Sequence, residues 1–188
     1  MRARGVVVVI SGPSGSGKSS ICRRLIQDPR VLFSVSTTTR TPREGELDGR
    51  EYHFVTPEEF RRHVEGGDFI EHAEVHGNLY GTLRRPMEDA VENGRVFLME
   101  IDVQGALQLK GLGVEGVYIF VAPPDTEDLR ARLEGRGTDA PDVIARRLEK
   151  ARDEMLERDR YDHVVVNDDL ERVIAEVRTI IELDEVGE

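Results

Sequence analysis

Residues Gly12-Pro13-Ser14-Gly15-Ser16-Gly17-Lys18-Ser19 constrain this chain more than any other stretch. They satisfy G-x-x-x-x-G-K-[ST] at every fixed position. They follow an apolar, β-branched run, Val6–Ile10, and precede a helical pattern bearing Leu25 and Ile26. Glycines at these positions let the backbone turn its N–H groups inward around an anion. The start of the following helix adds positive potential. Lys18 is then placed to reach the β- and γ-phosphates of a nucleoside triphosphate, and the Ser19 hydroxyl to ligate Mg2+. The loop fixes that a triphosphate binds but not what it reacts with. A guanine-reading N-K-x-D motif is not supplied by Asn167-Asp168-Asp169.

The choice of lysine carries information of its own. The chain has 26 basic residues, of which only Lys18, Lys110 and Lys150 are lysine. A compact ammonium fits among phosphate oxygens where a planar guanidinium does not.

The remainder reads as alternating strands and helices within 188 residues, the size of one domain. Val6–Ile10, Val96–Ile101, Val117–Val121 and His163–Val166 are the strand candidates. The first three are nearly continuously apolar, as strands covered on both faces should be. The alternation predicts an α/β fold with a mainly parallel sheet. Thr56-Pro57-Glu58-Glu59 spells a capping box with proline at the first helical position, and Gly66-Gly67 ends that helix. Pro86 opens a segment that Asn93-Gly94 closes, and Asp125 caps a helix bearing Leu129 and Leu133. Ile144, Leu148, Ala151 and Met155 form one amphipathic stripe; Leu170, Val173, Ile174, Val177 and Ile181 form another. Residues 34–54 and 134–142 break the alternation, and long irregular segments of this kind are commonly functional.

Composition excludes several classes. A formal net charge of −11 argues against nucleic-acid or anionic-membrane binding, which needs a basic face. The charge is uneven: residues 12–50 carry +3 and residues 126–152 carry +1, inside an acidic remainder. One cysteine, Cys22, allows neither an internal disulfide nor a Cys-rich zinc site. His72 and His76 stand four apart without a third ligand on a matching face, so a metal site there is not indicated. The longest apolar run is far below the roughly 20 residues of a membrane span. No signal-peptide pattern follows Met1-Arg2-Ala3-Arg4. The expectation is a soluble, cytoplasmic protein with no nucleic-acid or membrane partner, a monomer or small homo-oligomer.

A second anion site is suggested by Arg40-Thr41-Pro42-Arg43, with Ser36 before it and Tyr52 after it. Arginine forks match phosphate oxygens bidentately. From spacing alone, a solvated loop salt-bridged through Glu44 and Glu46 is an equal reading. Glu71, Thr82 and Asp102 offer carboxylates and a hydroxyl, Asp102 near the end of a strand, where open α/β sheets bind ligands. Guanine presents two adjacent donors beside an acceptor, which a carboxylate and a hydroxyl complement. Adenine would leave the carboxylate facing an acceptor. Taken alone, Glu71 reads better as a surface glutamate.

These motifs together resemble the guanylate kinases. The resemblance runs through Ser11–Ser20, the stretch Phe33-Ser34-Val35-Ser36-Thr37-Thr38-Thr39-Arg40-Thr41-Pro42-Arg43, and Gly49–Phe54. It continues through Asp68–Glu71, Gly77–Thr82, Met99–Gly105, Arg132–Thr138 and Tyr161–Asp168. It implies a three-layer α/β/α P-loop fold made of a core (1–33, 85–125, 157–188), a GMP-binding insertion (34–84) and a helical lid (126–156). It implies transfer of the ATP γ-phosphoryl group to GMP, and to dGMP, giving ADP and GDP, in purine nucleotide metabolism and GMP recycling. Gly12, Pro13, Ser14, Gly15, Ser16, Gly17, Lys18, Ser19 and Ser20 would hold ATP together with Arg132, Arg136 and Asn167. Ser36, Arg40, Arg43, Tyr52 and Tyr80 would hold the GMP phosphate, with Glu46 in the same pocket. Glu71, Thr82 and Asp102 would read guanine. Lys18, Arg40, Arg136 and Arg147 would be catalytic, and Ser19, with Glu100 through water, would place Mg2+. The chain departs from the family at Thr82, often serine, at His72, often a larger aromatic, and at Ser20, often threonine. None of these removes a catalytic group.

Two rivals stay in view. One is a non-catalytic relative that binds a phosphorylated protein, against which the intact loop counts. The other is a kinase for a different monophosphate.

Overall fold

The apolar runs form the centre of a five-stranded parallel sheet. A computed structural model describes residues 4–75, 77–135 and 140–183. The strands are β1 (Val6–Ser11), β2 (Val31–Phe33), β7 (Val96–Glu100), β8 (Val117–Ala122) and β9 (His163–Val166), in the order β2-β7-β1-β8-β9. The three strands read as covered on both faces are the three innermost, and β9, more polar, is an edge.

Alternate residues of β1 feed two cores. Val8 and Ile10 pack with Ile21 and Leu25 of α1 (Lys18–Leu25) and with Val173 and Val177 of α7 (Leu170–Ile180). Val7 and Val9 pack with Phe97, Met99 and Tyr118, with Ala90 of α3 (Arg84–Glu92), and with Ala106 and Leu109 of α4 (Val103–Gly111). Each buried aliphatic side chain contributes about 1.5–3 kcal/mol, so the sheet is anchored from both sides. Cys22 lies in the first core, as a small packed residue.

A second sheet hangs from this frame. It comprises β3 (Thr37–Thr38), β4 (His53–Phe54), β5 (Phe69–Val75) and β6 (Asn78–Leu83), in the order β4-β3-β6-β5. The irregular 34–54 segment expected from sequence thus threads two short strands into a sheet. Strands of two residues are too short to show alternation. β5 and β6 are antiparallel, with a register shift between Phe69, opposite Leu83, and Glu71, opposite Thr82. The extra residue at this bulge turns Phe69 and Glu71 to opposite faces, where an unbroken strand would point both the same way. Phe69 therefore stacks on Phe60 of α2 (Pro57–Gly66), ring centroids 4.6 Å apart, while Glu71 meets Thr82. Helix α2 keeps its capping box: Thr56 accepts from the Glu59 N–H, and Glu59 accepts from the Thr56 N–H.

Helix α3 begins at Arg84, two residues before Pro86. Proline is tolerated there because N–H groups of the first turn have no helical partner. Helices α5 (Thr126–Glu134) and α6 (Pro141–Leu156) pair through Leu129, Leu133, Ile144, Leu148 and Ala151, a cluster separate from both sheet cores. The predicted Asp125 cap is present, its carboxylate accepting from the Asp128 N–H at 2.7 Å.

Candidate active site

The loop after β1 has the geometry its glycines predicted. Gly12, Gly15 and Gly17 have φ of 137°, 93° and 96°, values that residues with a Cβ rarely adopt. Space demands glycine as well. A Cβ on Gly12 would lie 2.3 Å from the Val121 carbonyl, and one on Gly17 would lie 2.0 Å from Asn167 Nδ2. Lys18 folds back across the loop and donates to the carbonyls of Gly12 at 2.6 Å and Pro13 at 2.8 Å. Desolvation pulls its ammonium below the usual lysine value, against the opposing charges of Glu100 and Glu154. Ser19 Oγ donates to Glu100 Oε1 at 2.5 Å. β1 and β7 bring them together, since Ile10 and Glu100 are register partners.

A cavity of about 910 Å3 opens over this loop. Of the predicted residues, Gly12, Ser14, Gly15, Gly17, Lys18, Ser19 and Ser20 line it, joined by Glu100, Asp102 and Arg147. Pro13 and Ser16 are buried within the loop. Arg132 and Asn167 brace the loop from outside the cavity. Asn167 Nδ2 donates to the Ser16 carbonyl at 2.7 Å, and Arg132 donates to the Asn167 carbonyl at 2.8 Å. Arg136 and His76 lie outside the described residues. Lys150 and Glu154 of α6 also line the cavity and were missed by sequence reasoning. Their signal was the helical spacing from Arg147, three and then four residues on.

The second sheet gathers the other predicted residues. Arg40 is 14% exposed and pairs with Glu46 at 2.9 Å. Its guanidinium also lies over the rings of Tyr52 and Phe54, 5.3 and 5.7 Å from their centroids. Glu46 also accepts from the Arg43 N–H at 2.7 Å, so one carboxylate ties both arginine positions together. Tyr80 stands edge-on to Tyr52. The Ser36 carbonyl accepts from the His53 N–H, which fixes the strand leading into the loop. The Arg43 side chain is exposed.

Glu71 is 7% exposed, and Thr82 Oγ1 donates to it at 2.7 Å. Burial pushes the Glu71 carboxyl up; the Thr82 hydrogen bond opposes this and the Asp102 charge adds to it. Asp102 caps α4 by accepting from the Gly105 N–H at 2.8 Å. A Cβ on Gly105 would lie 3.4 Å from both Asp102 Oδ1 and Glu71 Oε2, so the two carboxylates flank one point on α4. Asp102 also lines the loop cavity, which joins the two halves of the site. Among the described residues no group of three or more His, Cys, Asp or Glu is placed to hold a metal ion.

Comparison with known proteins identifies the family to which the chain is similar. The family model described as guanylate kinase covers residues 4–184. A guanylate kinase of Nitratidesulfovibrio vulgaris is 51% identical over 175 residues, which cover 93% of this chain and 84% of that protein. One of Geobacter metallireducens is 46% identical over 182 residues, 96% of this chain and 90% of that protein. The crystal structure of guanylate kinase from Anaplasma phagocytophilum is 36% identical, with a TM-score of 0.79, covering all of this chain and 89% of that one. With a family model matching nearly the whole chain and relatives up to 51% identical, the chain belongs to the guanylate kinase family.

Proposed function

We propose that this guanylate kinase transfers the γ-phosphoryl group of ATP in line to a phosphate oxygen of GMP or dGMP, giving ADP and GDP or dGDP. The observation that carries the reading is the contact between two sites. A loop cavity built for a triphosphate shares Asp102 with a buried Glu71–Thr82 pair suited to guanine.

Little covalent chemistry falls to the protein. It aligns two anions and neutralises charge that spreads over the transferred group. The loop N–H groups and Lys18 hold the ATP phosphates, with Arg132, Arg136 and Arg147 as lid cations. Arg40, Arg43, Ser36, Tyr52 and Tyr80 hold the acceptor phosphate, and Glu46 keeps Arg40 aimed. Glu71 and Asp102 accept from the guanine N1–H and N2–H2, and Thr82 sits beside O6. Asn167 stands by the adenine and steadies the loop through Ser16. No general base is needed, because the acceptor phosphate is ionised near neutral pH. Residues 34–84 and 126–156 close over the core and exclude water, whose attack would waste ATP.

Ser19 and Glu100 place two hard oxygens side by side at the cavity, the donor chemistry that magnesium prefers. Ser19 would bind Mg2+ directly and Glu100 through water. Bound with ATP, the ion supplies positive charge to the phosphate oxygens. The few protein ligands suit an ion held mostly by phosphates and water.

ADP release measured with GMP, dGMP, AMP, UMP and CMP, with and without Mg2+, tests the reading. Turnover confined to the guanine nucleotides and dependent on Mg2+ is expected. Equal use of AMP would overturn it, and failure to bind ATP would favour a phosphoprotein-binding module.

A further inference from the structure

Two of the chain's three lysines, Lys18 and Lys150, line one cavity. The third, Lys110, is committed elsewhere: it bonds Asp162 at 2.7 Å and the Arg160 carbonyl at 2.8 Å. In a chain that uses arginine at 23 of 26 basic positions, two of the five basic residues lining this cavity are lysine, beside Arg23, Arg146 and Arg147. Lys150 follows Arg147 by three residues on α6, so both project from the same side of the helix. Arg146 lines the cavity too, but is tied back to Asp142 at 2.9 Å in the first turn.

Lys150 Nζ lies 3.5 Å from Glu154 Oε1, with side-chain exposures of 55% and 13%. This asymmetry matters. Exposed pairs one helical turn apart add little stability. Here the carboxylate is largely buried at the cleft while the lysine side chain is half exposed. Burial raises the Glu154 carboxyl, and the charges of Lys150 and Lys18 draw it back down. Glu154 is therefore electrostatically coupled to both lysines of the cleft.

We propose that Lys150 is a further catalytic residue, contacting the ATP phosphates from the lid, and that Glu154 is its positioning residue, holding the ammonium over the cleft before nucleotide binds. The proposal rests on the ATP-cleft reading above. An ammonium has three donors, so it can keep Glu154 while bonding a phosphate oxygen. It would supplement Lys18 within the same cavity.

The test is steady-state kinetics of Lys150→Met, Lys150→Arg, Glu154→Gln, Arg152→Met and Lys18→Met in the ADP-release assay, with calorimetric titration of ADP and adenosine. Lys150→Met should lower kcat/KM for ATP by about ten- to hundredfold, the scale of one charge-assisted hydrogen bond. The value for GMP at saturating ATP should change by less than about threefold. Affinity for ADP should fall with ATP, and that for adenosine should hold. Lys150→Arg should recover part of the loss, and Glu154→Gln should lose less than Lys150→Met. Arg152 is exposed on the same helix and is not among the residues lining the cavity. Its change controls for charge alone and should leave kcat/KM within about twofold. Lys150→Met kinetics matching the parent, beside an inactive Lys18→Met, would overturn this proposal and leave the ATP-cleft reading standing. An equal loss for both substrates with a lowered Tm would also overturn it, assigning Lys150 to lid packing. An active Lys18→Met would overturn the ATP-cleft reading itself.

Discussion

The two halves of the proposed site would recognise their ligands by different means. The triphosphate side is mostly main chain: three left-handed glycines, the start of α1, and a lysine bonded to its own loop. The monophosphate side is mostly side chains on short strands: Arg40 held by Glu46 between aromatic faces, and Glu71 held by Thr82. The contrast follows from what each half must distinguish. A polyphosphate tail is common to every nucleoside triphosphate, so backbone amides and a few cations can hold it without reading a base. A carboxylate beside a hydroxyl offers the acceptor pattern that suits guanine and not adenine.

Four experiments would break or sharpen this contrast. The largest effect is expected from Lys18→Met, about a thousandfold loss in kcat, the upper range for one preorganised electrostatic contact. Affinity for GMP should be nearly unchanged, and a parallel loss in GMP titrations would break the division.

Glu71→Gln should lower kcat/KM for GMP about a hundredfold, because an amide presents a donor to guanine's donors. It should leave KM for ATP alone. Its effect on stability has the opposite sign. Burial raises the folded-state Glu71 carboxyl above its unfolded value, so the folded protein binds more protons and loses stability as pH rises through that window. The glutamine variant avoids this loss. Its Tm should exceed the parent's at pH 7, and the gap should close as pH falls below about 4, near the unfolded carboxyl value. An unchanged gap across pH would refute the buried-charge account.

Arg40→Lys should raise KM for GMP about tenfold while KM for ATP moves little, since an ammonium cannot match the bidentate fork. Thr56→Ala should cost about 1 kcal/mol of stability through the lost cap of α2. Calorimetry should show that loss with ATP binding intact. Weakened ATP binding would mean that the second sheet and the loop are mechanically joined.

The same contrast decided what could be read from sequence. The loop and the three inner strands, β1 among them, were legible because burial on both faces leaves continuous apolar runs, and glycine spacing has few other meanings. The caps at Thr56 and Asp125 were legible because the oxygen acceptors sit at fixed offsets. The second sheet was not, since Thr37–Thr38 and His53–Phe54 are too short to show a period and Ile70 breaks the alternation of β5. Asn167 was placed by resemblance alone; its bond to Ser16 joins residues 151 positions apart, which no local pattern encodes. Lys150 and Glu154 were hidden in a helix whose apolar stripe drew attention to the neighbouring face.

The doubled residue in β5 has one more effect. β5 is the end strand of its sheet, with backbone on its outer side that a passing strand could pair with. An even ladder there would template addition of another chain, and a bulge spoils the spacing that such growth requires. The irregularity that turns Glu71 toward Thr82 thus also works against edge-to-edge growth along this border. Straightening β5 would be expected to cost the protein its selectivity and its resistance to aggregation together.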